Sequence, residues 1–368
     1  MARNIDNGKK RTVRIWMLTG ARAGDNAQVR ALAALLTEHL KTLETTTTTE
    51  EKNLFYNTLR LFPNILLPAT TSILTAAARS TLQPPWPDLV IGVGRRSVPV
   101  ARWIRRQHPA TRIVWLGRPR APLKWFDLLL TTPQYGLPED EPNVIALDLP
   151  PAPPPERDEA ERARWRDRFA HLPRPWLGVL VGGARWPLLF DANDAKHLGA
   201  AVEELRARTG GAWLVSTSPR TGIRQARALR EMLKSPGWFH FWRADGQPRN
   251  NPHRAILALA DGFVVTADSA SMIAEAVRTG RQTRLFPMRR SPLAPRWRAQ
   301  RGLARWLAIH GLLTPPRDMH AFAERLVRHG MACWVDADTP AEAASAPSGL
   351  RETALEEALE RIARWFET

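Results

Sequence analysis

The 368-residue chain has a single cysteine, Cys333, which excludes an internal disulfide and leaves no second thiolate to build a cysteine metal centre. No metal and no bound cofactor is expected from its motifs. Long apolar runs are missing too. The longest uncharged stretch, Leu61 to Ala78, holds Pro63, Asn64, Pro68 and several hydroxyl residues. It is too broken to supply the ~20 apolar residues that a membrane span needs. Residues 1–11 are polar and basic and lead straight into a strand-like run, so no secretory leader is expected. With no disulfide framework to require export, a cytoplasmic location is expected, at most peripheral at the inner face of a membrane.

Acidic residues are absent from two long stretches. Gly92–Phe126 carries nine Arg or Lys and no acid, and Arg281–Trp306 carries eight Arg and no acid. They contribute to a formal net charge of +17, which favours phosphate-bearing partners such as nucleotides, phosphorylated sugars or anionic headgroups. No DNA- or RNA-binding motif accompanies the charge, so nucleic acid is not an expected partner. An ordinary solvated basic face is the plainer account of most of these side chains.

What is present is alternation. Val13–Thr19, Asp88–Val93, Arg112–Leu116, Asp127–Thr131 and Asn143–Leu147 read as short strands. Asp25–Lys41 reads as an amphipathic helix through Val29, Leu32, Leu35, Leu36 and Leu40. The threonine tract Thr45–Thr49 reads as a loop tip. A proline-rich stretch at 149–156 has the stiffness of a linker, and the alternation then restarts. Trp176–Val181, Ala212–Ser216, Trp238–Phe241, Gly262–Thr266 and Thr283–Phe286 are the second set of strands, with helices at Ala192–Arg208, Ile223–Leu233, His253–Ala258 and Ser269–Thr279. Such βαβ units build a parallel sheet covered on both faces. The expected fold is therefore α/β, with two Rossmann-like domains facing a cleft: 1–148 on the acceptor side and 157–337 on the nucleotide side. A flexible connector at 338–349 precedes a terminal helix at 350–368. Leu350, Leu355, Leu359, Ile362 and Phe366 share one face of that helix, which is expected to cross back onto the first domain.

Three loops follow predicted strands, where open α/β sheets bind ligands beyond the strands' carboxyl ends. The first runs from Gly20 through Gly24, Asp25 and Asn26 to Gln28. Its glycines permit close backbone approach and its helix start offers N–H groups to an anion, whereas Asp25 also reads as a plain N-cap. The second contains Gly182, Gly183 and Arg185. It suits a diphosphate, or equally an ordinary strand-to-helix turn. The third runs from Thr266 to Ala276. There Ser269 and Ser271 open a helix beside its positive dipole end, and Glu275 lies one turn beyond Ser271 on the same face, placed to accept from ribose hydroxyls. A capped helix with a surface glutamate is the alternative.

Four separated segments, Gly24–Gln28, Pro133–Pro138, Ser216–Thr221 and Thr266–Ala276, resemble the mitochondrial fission family named for elongated mitochondria, over nearly the whole chain. Plant members of that family act at the outer mitochondrial membrane and help recruit a dynamin-related GTPase. The Arg-, Ala- and Trp-heavy composition here resembles the bacterial branch. The same motifs are similar, more distantly, to glycosyltransferases of the GT-B type in cell-envelope synthesis. That resemblance implies a donor nucleotide-sugar held by Gly182, Gly183, Ser218, Arg220, Ser269, Ser271 and Glu275, with Glu275 on the ribose. It implies an acceptor over the Gly20–Gln28 loop and the basic Gly92–Arg120 region. The first loop departs from those enzymes in having no histidine, and Asp25 is the candidate general base. The expected function is metal-independent transfer of a sugar from a nucleotide-sugar, itself a substrate and not a cofactor, to an envelope or lipid-linked acceptor. The alternative is a non-catalytic scaffold that recruits a protein partner at a membrane. Pro295–Leu307, which mixes Arg with Trp and Leu, reads either as a helix lying on an anionic bilayer or as a domain helix with its tryptophans in the core.

Overall fold

The computed structural model describes residues 12–152, 159–242, 251–295, 301–336 and 352–367. Part of the proline-rich linker and all of the 338–349 connector lie outside the described residues. In chain order the first elements are β1 (Thr12–Thr19), α1 (Ala23–Thr42), β2 (Thr46–Asn53), α2 (Ala76–Ser80), β3 (Leu89–Val93), α3 (Val98–Gln107), β4 (Arg112–Leu116), β5 (Leu128–Thr131) and β6 (Val144–Ala146). There follow α4 (Glu159–Phe169), β7 (Trp176–Val181), β8 (Leu188–Leu189), α5 (Ala192–Thr209), β9 (Ala212–Thr217), α6 (Ile223–Met232), β10 (Gly237–His240) and α7 (His253–Leu259). The chain ends with β11 (Gly262–Thr266), α8 (Ala270–Val277), β12 (Thr283–Phe286), β13 (Arg289–Arg290), α9 (Gly302–Ile309), α10 (Met319–Arg328), β14 (Cys333–Trp334) and α11 (Thr353–Ala363).

The chain divides into two compact units: Met1–Leu147 with Trp297–Pro315 and Glu352–Thr368, and Asp148–Arg296 with Pro316–Arg351. The assignment of 297–315 to the second domain is thereby corrected. Within the first unit, Arg118 Nη1 donates to the carbonyl of Pro315 at 2.6 Å, and Arg305 is ion-paired to Asp140 and Glu141.

The first unit's sheet has the order β2-β1-β3-β4-β5-β6, every pair parallel. Its strands alternate with the period of two that a sheet covered on both faces demands. Val13, Ile15, Leu89, Ile91, Val114 and Leu116 face α1 and α11. Trp16, Leu18, Val90, Ile113, Trp115 and Leu129 face α3 and its flanking loops. The terminal helix buries Leu355, Leu359, Ile362 and Phe366 in the first of these layers, as its periodicity implies.

The threonine tract is not a loop tip. Thr46–Asn53 pairs in parallel with all of β1, Thr12 opposite Thr46 through Thr19 opposite Asn53. β-branched threonine suits a pleated surface, and this is an edge strand with mostly exposed side chains. Apolar patterning therefore could not reveal it. Glu50, Glu51 and Lys52 charge the edge, which discourages pairing with another chain.

The second unit's sheet has the order β10-β9-β7-β11-β12-β14, again wholly parallel. Helices α5 and α6 cover one face, and α4, α7, α8 and α10 cover the other. A separate antiparallel pair joins β8 to β13. In each sheet the winding direction reverses once, between β1 and β3 and between β7 and β11. The crevice beyond such a reversal is where an open α/β sheet accepts a ligand.

Candidate functional site

In the second unit the carboxyl ends of β7 and β11 are adjacent, and the chain places a polar cluster on them. Gly182 and Gly183 leave β7, and Thr266 and Asp268 leave β11. The N–H of Gly182 donates to Thr266 Oγ1 at 2.8 Å, and the N–H of Gly183 donates to Asp268 Oδ2 at 3.1 Å. The Thr266 hydroxyl donates to Asp268 Oδ1 at 2.7 Å. A Cβ on Gly182 would stand 2.1 Å from Asp268 Oδ1, and one on Gly183, whose φ is +153°, would stand 2.1 Å from the carbonyl oxygen of Arg220. Neither position admits a side chain.

The turn after β9 closes the cluster. The Ser218 hydroxyl donates to the carbonyl of Gly182 at 2.6 Å, the Thr221 hydroxyl donates to Val181 at 3.0 Å, and the N–H of Arg220 donates to Ser218 Oγ at 3.2 Å. The Arg220 guanidinium then pairs with Asp268 Oδ2 at 2.9 Å. The Asp268 side chain is fully buried, and burial raises its carboxyl above the ordinary range against the opposing pull of Arg220 and Thr266. The other terminal nitrogen of Arg220, Nη1, is buried without a hydrogen-bond partner among the described residues. Helix α8 begins immediately after. Its N-cap Ser269 makes no side-chain cap bond, and its first turn holds no acidic residue to compete for an anion.

The fold thus brings Gly182, Gly183, Ser218 and Arg220 together and sets Ser269 and Ser271 at the adjoining helix start. Glu275, one turn further along α8, receives a hydrogen bond from His253 Nε2 at 2.8 Å, with both side chains about one-fifth exposed (20% and 23%). Sequence reasoning passed over Asp268, Thr266, Thr221 and His253. Asp268 was findable, since a carboxylate directly beyond a buried strand at a winding reversal has little reason to be there unless it is used. His253 was not, because only folding places α7 beside α8.

The first-unit loop is organised differently. The Asn26 side chain spans the peptide of Gly20, accepting from its N–H at 2.9 Å and donating to its carbonyl at 2.6 Å. Helix α1 starts at Ala23 with Arg22 as its N-cap, so Asp25 lies inside the first turn and the capping alternative does not hold. Asp25 forms a loose pair with Arg22 at 3.7 Å, and Gln28 lies on the helix beyond it. Nearby on β2, Glu51 accepts twice from Arg30, at 2.6 and 2.8 Å, which holds its carboxyl below the usual range. Among the described residues there is no helix long and apolar enough to cross a membrane, and no group of side chains able to hold a metal ion.

The family model described as mitochondrial fission ELM1 matches residues 23–354. The mitochondrial fission protein ELM1 of Arabidopsis thaliana is 30% identical over 239 residues, 59% of this chain and 55% of that protein, so the match spans little more than half of the plant protein's length. An uncharacterized protein of Rickettsia prowazekii is 22% identical over 310 residues, 74% of this chain and 82% of that protein. Among solved structures, a UDP-GlcNAc 2-epimerase from Neisseria meningitidis bound to UDP-GlcNAc aligns over 96% of this chain and all of that one, at 11% identity and a TM-score of 0.48. A glycosyltransferase from Rickettsia africae aligns over 97% of this chain and 99% of that one, at 10% identity and a TM-score of 0.46. A family 9 glycosyl transferase from Veillonella parvula aligns over 96% of this chain and 97% of that one, at 10% identity and a TM-score of 0.46.

Proposed function

This chain belongs to the mitochondrial fission ELM1 family, and we propose that its second unit binds the diphosphate of a nucleotide-sugar as the donor site of a glycosyl transfer. The observation that carries this reading is the buried Arg220 Nη1, a cationic donor without an acceptor among the described residues, at the β7–β11 reversal beside two glycines that keep the backbone bare. A diphosphate oxygen would satisfy it. The α8 N-terminus, with Ser269 and Ser271, supplies further donors of the kind that hold phosphates. Glu275, kept in place by His253, is the acceptor for the ribose hydroxyls.

In the transfer itself an acceptor hydroxyl oxygen bonds to the anomeric carbon. The bond from that carbon to the diphosphate breaks and the diphosphate leaves with the electron pair. Arg220 and the α8 N-terminus stabilise the charge that develops on it, and the hydroxyl proton passes to a general base, for which Asp25 is the candidate. The acceptor is an envelope or lipid-linked hydroxyl compound. A second reading, a non-catalytic scaffold that recruits a protein partner at a membrane, is the one that the family's name, mitochondrial fission ELM1, fits.

A thermal-shift series with nucleoside diphosphates and nucleotide-sugars tests the donor site. A ligand at 100 times its Kd stabilises the folded chain by about 2.7 kcal/mol when it binds only that state. Glu275→Ala is expected to weaken the nucleotide by roughly 1.5–3 kcal/mol, the loss of a charge-assisted hydrogen bond. A chain that no nucleotide stabilises has no donor site and leaves the scaffold reading. If nucleotide binds, Asp25→Asn is expected to keep that affinity and lose most turnover. Normal turnover in that variant removes Asp25 as the base.

A further inference from the structure

The first unit exposes a concentration of apolar side chains that its own core does not use. Between β2 and α2, Phe55, Leu59, Leu61, Phe62 and Leu66 are 63%, 41%, 65%, 54% and 70% exposed. Of the side chains described from 57 to 66, only Asn64 is buried. Asn64 fastens the segment at its base, its Nδ2 donating to the carbonyls of Arg95 at 2.8 Å and Pro119 at 3.0 Å. Further along, Arg102 Nη1 donates to the carbonyl of Leu67 at 3.1 Å. The segment is therefore an ordered loop with its apolar side chains turned outward.

Its anchors lie in the stretch that has no acid. Arg95 and Arg96 follow β3, and Arg118 and the exposed Arg120 follow β4, on either side of the two carbonyls that Asn64 holds. The same β4 turn is tied to the α9 segment through Arg118 and Pro315, and that segment exposes Leu303 (72%), Trp306 (51%) and Leu312 (51%). The α9 tryptophan is thus not a core residue. Nor is Arg305 the solvated cation expected there, because Asp140 and Glu141 neutralise it.

We infer that the 55–66 loop, rimmed by the arginines after β3 and β4, docks this unit on an anionic lipid bilayer. Exposed apolar side chains on this scale mark an interaction surface. Bulky side chains on an outward-facing loop suit the headgroup–acyl boundary, and guanidinium groups at the same edge attract anionic headgroups. A second copy is a poor occupant, since each would bring the same cationic rim and a chain charge of +17. This inference does not rest on glycosyl transfer.

Flotation of the full chain with phosphatidylcholine vesicles, and with vesicles that also contain phosphatidylglycerol, tests it. The chain is expected to float with the anionic vesicles and to be released by high salt. The triple variant Leu61→Ser, Phe62→Ser, Leu66→Ser is expected to keep the native melting temperature, since these side chains are exposed, and to lose affinity for anionic vesicles by about a hundredfold or more. Arg95→Gln with Arg120→Gln is expected to shift the salt dependence while leaving some apolar binding. Failure of the native chain to float with anionic vesicles overturns the inference, as does native-like flotation of a folded triple variant. A concentration-dependent dimer that the triple variant abolishes, without vesicle binding, would reassign the loop to self-association.

Discussion

Gly182 shows how tightly a single residue is held to its place. A methyl group there would meet both carboxylate oxygens of Asp268, at 2.1 and 2.2 Å. Asp268 cannot retreat without leaving Arg220, Thr266 and the N–H of Gly183. Gly182→Ala is expected to destabilise the chain by about 1–3 kcal/mol, read from urea unfolding, and to weaken any nucleotide bound there. A native midpoint would mean that the cluster yields more easily than its hydrogen bonds imply. Glu51 offers a pH test. Its carboxyl is held low by Arg30, so its contribution is fully present above the ordinary glutamate range and is lost as pH falls through the depressed value. Both side chains are partly solvated, so that contribution is at most about 1 kcal/mol. Acid titration of unfolding should show a shallower loss for Glu51→Gln than for the native chain.

Among the elements, α1 and its loop depend on one amide. Asn26 satisfies both polar groups of the Gly20 peptide. Asn26→Ala is expected to cost about 1–3 kcal/mol, the penalty for leaving partly buried groups unpaired. It should also loosen Gly20–Gly24, measurable as faster amide exchange in that loop while β3 and β4 stay protected. Asn26 stood out in the sequence as a member of a glycine loop that could touch a ligand. Its side chain in fact turns inward, and no spacing rule distinguishes these outcomes. The edge strand β2 teaches a related lesson. Its threonines and charges lack the apolar alternation that made β1 and β3 legible, and its pairing with β1 supplies what its pattern does not.

Across the whole molecule, the last helix belongs to the first unit. Leu355, Leu359, Ile362 and Phe366 are all within 8% of full burial there. Removing residues 352–368 would delete the packing of four large apolar side chains and expose the face of α1 and the sheet that they cover, an upper estimate of about 6–12 kcal/mol. That is comparable with the ~5–15 kcal/mol that holds a domain folded. The truncated chain is expected to lose the first unit's cooperative unfolding transition. Limited proteolysis that left residues 12–147 as intact in the truncated chain as in the native one would refute this.

Sequence alone determined the alternation of strands and helices, the parallel sheets, the terminal helix's apolar stripe and the three loops beyond strand ends. Each of these rests on local periodicity or on a residue type with few other uses. Tertiary structure decided the rest. It assigned 297–315 to the first unit, because the ties of Arg118 and Arg305 join residues far apart in the chain. It made Asp268 the hub of the second unit's loops, because two strands distant in sequence lie side by side only once the sheet has formed. It also left the 55–66 loop facing outward, since whether an apolar residue is core or surface depends on what folds over it, and nothing in the described first unit folds over this one.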